Sequence, residues 1–167
     1  MKPNKVDMYF KHKNFKFYKF ARFMCLIFPV LYMVFIFLLM MQTNLGYQEL
    51  IVKTPILTAG FFICFMNFFM WLRTRKALDE ITSPANIAQF KLRSTIYAFA
   101  QLIMFNYPAA ILFALTLYKN FNWTKQSFMQ TIQLCKKERL IIPLVIDICV
   151  IALFIFLATW FAAAFSK

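Results

Sequence analysis

Four long apolar runs, separated by short polar connections, organise this chain. They extend from about Phe23 to Met41, Pro55 to Leu72, Ser94 to Tyr118 and Leu140 to Phe165. A helix needs about 20 apolar residues to cross a hydrocarbon core of roughly 30 Å, whereas a strand of a membrane barrel needs only about 9–11, with alternating character. In lipid every backbone N–H and C=O must find its partner inside the protein, and a helix supplies these partners from its own turns. The pattern therefore predicts an all-α membrane protein, with four transmembrane helices in a small bundle (spans 23–41, 55–72, 94–118 and 140–165). Residues 1–22 form a basic, aromatic juxtamembrane segment ahead of that 23–167 domain. The first run is longer than the core of a signal peptide, and Gln42-Thr43-Asn44-Leu45-Gly46 offers no small-x-small cleavage site, so it reads as a retained helix.

Local signals refine the boundaries. Pro55 suits a first helical position, where its missing N–H costs nothing. Trp71 marks an interface, and Arg73, Thr74, Arg75 and Lys76 halt the second helix among headgroups. Ser83-Pro84 is a helix start, Ser as N-cap and Pro at the first position, and a helix begun there runs on into the third span. Pro108 bends the third span and leaves the Met104 carbonyl without a donor. In the connection from Lys119 to Arg139, Phe128, Met129, Ile132 and Cys135 recur at helical spacing. Lys125, Gln126, Gln130, Gln133, Lys136 and Lys137 lie between them. This predicts an amphipathic interfacial helix between the third and fourth spans, on the membrane surface or against the bundle.

Composition strengthens the membrane reading. Of 167 residues, 62% are hydrophobic and 15% charged, against about 25% charged in a soluble domain, and the mean hydropathy is +0.65. The net charge is +13, but the basic residues gather at the ends of apolar runs, which points to a bilayer with anionic lipids and away from nucleic acid. Lys11, Lys13, Lys16, Lys19 and Arg22 interleave with aromatic rings and are candidate anionic-lipid contacts, each basic residue near such a surface contributing about 1 kcal/mol. The segment is a topogenic anchor or, beyond that, a specific lipid- or partner-binding element; His12 reads as one more surface group. Four crossings place 13 basic residues on the side of the N-terminus and six on the other, so both termini are expected in the cytoplasm. That arrangement leaves Lys136, Lys137 and Arg139 on the disfavoured side. Abundant Phe, with 23 residues, and scarce Gly, with two, fit AT-rich coding and hence a multi-pass protein of a bacterial cell membrane.

Candidate chemistry centres on Asp147, the one ionisable residue well inside a run. Counted from the outer interface it lies roughly 10 Å deep at 1.5 Å per residue. An aspartate at the centre of a span costs about 2.5–3.5 kcal/mol and calls for a partner. Asn106, at a similar depth in the third run, is the expected partner, with Gln101 and Asn67 as a second polar layer nearer the cytoplasm. Two readings follow: a neutral Asp147 that holds helices together through Asn106, or an Asp147 that exchanges a proton or cation during transport with Asn106 and Gln101 beside it. A third has Asp147 reaching water at the outer mouth. Ala110 with Ala114, and Ala158 with Ala162, have the spacing of close helix contacts.

Catalytic sets are hard to assemble from this chain. An intramembrane aspartyl protease needs two carboxylates sharing a proton, and Asp147 stands alone. Asp79 and Glu80, with Lys76, read as a solvated helix face. Cys25, Cys64, Cys135 and Cys149 form no CxxC pair and read as small buried hydrophobes; no metal site or cofactor is expected. The sequence thus predicts a non-enzymatic accessory, regulatory or immunity-type interaction partner, engaging a membrane protein or a second copy of itself. The alternative is a small proton- or cation-coupled transporter or channel subunit that uses Asp147.

Overall fold

The computed structural model describes residues 14–75, 77–121 and 125–164. Lys11, His12, Lys13 and Lys76 lie outside them. Every regular element among the described residues is helical: α1 (Lys16–Thr43), α2 (Tyr47–Lys53), α3 (Pro55–Thr74), α4 (Pro84–Ile103), α5 (Tyr107–Asn120), α6 (Lys125–Lys137) and α7 (Ile141–Ala164). Three of them are long and apolar enough to cross a membrane: α1, α3 from Ile56, and α7 to Ala163. Only 11% of the most apolar stretch of α1 and 17% of that of α7 is buried within the protein. Val30, Leu31, Met33, Phe35 and Phe37 on α1, and Ile142, Ile146, Leu153 and Phe156 on α7, are exposed. Apolar surface on that scale is stable against lipid tails and not against water.

The helix starts follow the sequence signals. Pro55 opens α3, and the Ser83 hydroxyl accepts the Asn86 N–H to cap α4, with Pro84 next. The short α2 was not expected. It folds into the 42–54 connection and brings Leu50 against Ile36 and Leu57. At that same end Gly60 lets α1 come close. A Cβ there would lie 2.6 Å from the Tyr32 ring, whose hydroxyl donates to the Leu57 carbonyl.

The third run is not one helix. It breaks at Met104–Asn106, and α4 and α5 form an antiparallel hairpin: Tyr97 packs on Phe113, and Phe90 on Phe121. The expected single helix over 94–118, merely bent at Pro108, is corrected accordingly. Without an N–H at Pro108, α4 has no donor for the Met104 carbonyl and the proline ring crowds that carbonyl. The chain instead closes with a left-handed residue, Phe105, at φ 59°. The Asn106 N–H bonds the Gln101 carbonyl and the Phe105 N–H that of Leu102, the paired bonds of a Schellman ending. Pro108 then sits in the first turn of α5. The same ending, with Arg139 left-handed, joins α6 to α7.

The hairpin reverses the direction of everything after it. Arg22 Nη1 donates to the Arg75 carbonyl at 3.2 Å, so the start of α1 meets the end of α3. Asn14 and Asn120 bond each other reciprocally, N–H to Oδ1 and Nδ2 to carbonyl, both at 3.0 Å, so the end of α5 returns to the start of α1. Gln89 Nε2 reaches the Leu140 carbonyl at 3.4 Å, bringing the start of α7 to the same end. Phe62 on α3 meets Phe161 on α7 at the other end. α7 therefore runs parallel to α1, and the two finish at the end of the bundle opposite the one where both start.

The main core lies between α1, α3, α4 and α5, around Tyr18, Cys25, Met66, Met70, Tyr97 and Phe113. α5 buries Ala109, Ala110, Phe113, Thr116, Leu117 and Asn120 as one stripe; Ala114 is exposed, so the expected Ala110–Ala114 pair does not act together. Ala158 is buried and Ala162 half-buried. α6 packs Cys135, with Leu134, near Ala88 and Leu144, while Phe128, Met129 and Ile132 stay outside. Asp79 and Glu80 are exposed, but in a turn and not on a helix.

Candidate functional site

Arg93, Tyr97 and Gln101 recur every four residues along α4, so their side chains rise as one stripe. All three are buried. Asn67, Met70 and Arg73 form the facing stripe on α3, and Asp147 enters between them from α7. Two polar layers result.

The lower layer is ionic. Arg73 Nε donates to Asp147 Oδ1 at 2.8 Å, Arg93 Nε donates to Oδ2 at 3.0 Å, and the Tyr97 hydroxyl donates to Oδ2 at 3.3 Å. Asp147 is fully buried, the Arg93 side chain is 8% exposed and that of Arg73 36%. One carboxylate thus ties three helices through charge-assisted bonds, which are shorter and stronger than neutral ones. Asp147 lies six residues into α7, but α7 starts at the same end of the bundle as α1 and α4, so its depth is counted from there.

The upper layer is neutral. Asn67 Oδ1 accepts from Gln101 Nε2 at 2.9 Å and from Asn106 Nδ2 at 3.1 Å. Gln101 Nε2 also faces Met70 Sδ at 3.2 Å and Cys25 Sγ at 3.6 Å. Asn67 is seven residues above Thr74, roughly 10 Å at 1.5 Å per residue, and the hairpin tip meets it there. The buried Gln101 Oε1 has no partner among the described residues.

No family model, curated protein or solved structure matches the chain.

The expected residues Asp147, Asn106 and Gln101 are all buried, but they do not form one cluster. Gln101 and Asn106 share Asn67, while Asp147 belongs to the arginines. The expected Asp147–Asn106 pair is corrected: Asp147 is held by Arg73, Arg93 and Tyr97, and the break before α5 turns Asn106 to Asn67 instead. Sequence reasoning missed Arg93 because it stands one residue before the third run and counts as a boundary charge. The signal that finds it is the four-residue recurrence of Arg93, Tyr97 and Gln101. Of the expected lipid contacts, Lys16 and Lys19 are exposed, and Lys119 sits over the Phe17 ring at 4.5 Å. Arg22 is partly used on Arg75.

Beside the ionic layer opens a cavity of about 580 Å³ at the basic end. Arg73, Arg75, Arg93 and Gln89 line it, with Glu80 and Asn86 also present. A second cavity, about 480 Å³ between α1 and α3, is walled by apolar residues such as Tyr32, Ile36, Phe61 and Phe65. Among the described residues no group of His, Cys, Asp and Glu is placed to hold a metal. The cysteines are free, three buried and Cys149 exposed. Burial pushes the Cys135 thiol on α6 up from about 9 to about 11.

Proposed function

We propose that this protein is a non-catalytic, multi-pass protein of a bacterial cytoplasmic membrane that acts as an accessory, regulatory or immunity-type partner. It crosses the bilayer three times, and α4–α5 is a re-entrant hairpin entering from the cytoplasmic face. α5 has 14 residues, about 21 Å of helix at 1.5 Å per residue, too short for a core of roughly 30 Å. The exposed tip residues Leu102, Ile103, Phe105 and Tyr107 suit the lipid interior.

Charge supports this topology. Seven basic residues fall in 1–22, five in 73–93 and five in 119–139, stretches that carry helix starts and ends at one end of the bundle, with Lys91 and Arg93 about two turns inside α4. Only Lys53 and Lys167 adjoin the other end. Three crossings and a hairpin therefore put 17 basic residues inside and two outside, and the conflict over Lys136, Lys137 and Arg139 disappears. The N-terminus is cytoplasmic and the C-terminus outside. α6 lies at the inner interface, its exposed Phe128, Met129 and Ile132 turned to lipid.

The observation that carries the functional reading is the clamp on Asp147. A transport carboxylate must release its counter-charge and reach a path for the ion. Here two guanidiniums and a tyrosine hold it, and a cation arriving at Asp147 would have to displace Arg93 from a buried position. The cluster suits holding helices in register so that outer faces can meet a partner.

Purified protein reconstituted alone in proteoliposomes tests this. No proton- or cation-dependent flux is expected. Flux that disappears in Asp147→Asn would overturn the reading in favour of a transporter.

A further inference from the structure

We propose that the arginine-lined cavity at the basic end is a binding site for a phosphate group, held by Arg73 and Arg93 and screened at its rim by Arg75. Three observations converge on it. The first is unbalanced charge: Arg73, Arg75 and Arg93 line the cavity, against Asp147 behind them and Glu80 at the edge, a net charge of +1. The inner Arg93–Asp147 pair is buried and balanced, Arg73 is half-exposed, and Arg75 and Glu80 are exposed, so the residual positive charge sits on Arg73 and Arg75 at the cavity mouth, where an arriving anion meets it first.

The second is orientation. Asp147 takes the Nε of both arginines, one on each carboxylate oxygen. A guanidinium carries five N–H donors, so this grip directs each group through one bond and leaves its Nη donors for other acceptors. Planar forks held in place match the paired oxygens of a phosphate, and a lysine ammonium would not. Asp147 thus acts as the positioning residue of an anion site.

The third is size and place. About 580 Å³ is within the range of small-molecule pockets and far larger than a halide needs. Leu72, Leu140 and Pro143 complete the wall, an apolar margin for the carbons that carry a phosphate ester. The cavity lies where α3 ends and α7 begins. A phospholipid headgroup arriving from the bilayer and a soluble phosphate ester arriving from the aqueous phase share this chemistry. The inference does not depend on the accessory role, since a transporter with the same fold would keep the cavity.

The test uses the full chain in phosphatidylcholine nanodiscs, with and without phosphatidylglycerol, titrated with glycerol 3-phosphate and followed by thermal shift. Saturable stabilisation by glycerol 3-phosphate in pure phosphatidylcholine assigns the soluble source. Stabilisation by phosphatidylglycerol that glycerol 3-phosphate does not add to assigns the lipid. Arg73→Gln should weaken whichever probe binds by about tenfold, the loss of one charge-assisted hydrogen bond. Arg75→Gln, outside the clamp, should weaken it several-fold without lowering the unliganded melting temperature. Lys53→Gln, at the far end, should change nothing. No saturable response to either probe, or a response that survives both Arg73→Gln and Arg75→Gln, would overturn the proposal.

Discussion

Arg93 on α4 and Asp147 on α7, 54 residues apart in sequence, meet at 3.0 Å inside the protein, and that bond joins the hairpin to the last helix. Each charge is costly to bury alone. Removing one partner of a buried pair typically costs about 3–5 kcal/mol, while replacing both by apolar residues of similar size is often neutral. Asp147→Asn should therefore lower stability in detergent by about 3 kcal/mol. Arg93→Met with Asp147→Leu should recover part of the loss, since it leaves the half-exposed Arg73 and the Tyr97 hydroxyl without their acceptor. Thermal melts of the single and double variants read this directly. A double variant worse than the sum of the singles would show that the pair does more than neutralise itself.

The direction of α7 separates three crossings from four. In a cysteine-free background, Lys136→Cys on α6 should react with a membrane-impermeant maleimide only when the cytoplasmic face is accessible, as should Ser83→Cys. Four crossings would place position 136 outside and 83 inside. Labelling of both positions from the same side, and of a cysteine following Ala164 from the other, is the expected pattern.

Much of this fold is legible in the sequence; apart from the short α2, the illegible part of the architecture traces to Pro108. Pro55 and Ser83-Pro84 announce the starts of α3 and α4 because capping and proline geometry are local. The apolar runs announce α1, α3 and α7 because lipid demands length and hydropathy. Whether a proline bends a helix or ends it is not local. At Pro108 the outcome depends on Tyr97 finding Phe113 across the turn and on Asn106 finding Asn67 on α3. Reading a bend there reversed α7 and took Asp147 away from its arginines. Lys136, Lys137 and Arg139 are the sequence feature that four crossings leave on the disfavoured side and that the proposed three crossings move to the favoured one.

The hairpin tip holds Phe105 at φ 59°, a conformation that costs a residue with a Cβ about 1–2 kcal/mol relative to glycine. The Phe105 side chain is largely exposed and meets the Tyr107 ring edge-to-face at 6.1 Å, so only that contact is lost with the ring. Phe105→Gly should raise the melting temperature, by an amount corresponding to about 1 kcal/mol. A fall would mean that the ring has a partner in the bilayer.

Asn67 accepts from both Gln101 and Asn106 with a single oxygen, which makes it the hinge of the upper layer. Asn67→Ala leaves two buried amide donors seeking acceptors, each at about 1–3 kcal/mol; the sum should be felt as loosening of the tip and not of the clamp below. Hydrogen exchange checks the distinction. The amides of Met104, Phe105 and Asn106 should exchange markedly faster in Asn67→Ala, while those around Asp147 on α7 keep their protection. Equal loss in both places would mean that the two layers form one cooperative unit, and the hairpin would then be locked to α7 along its whole depth.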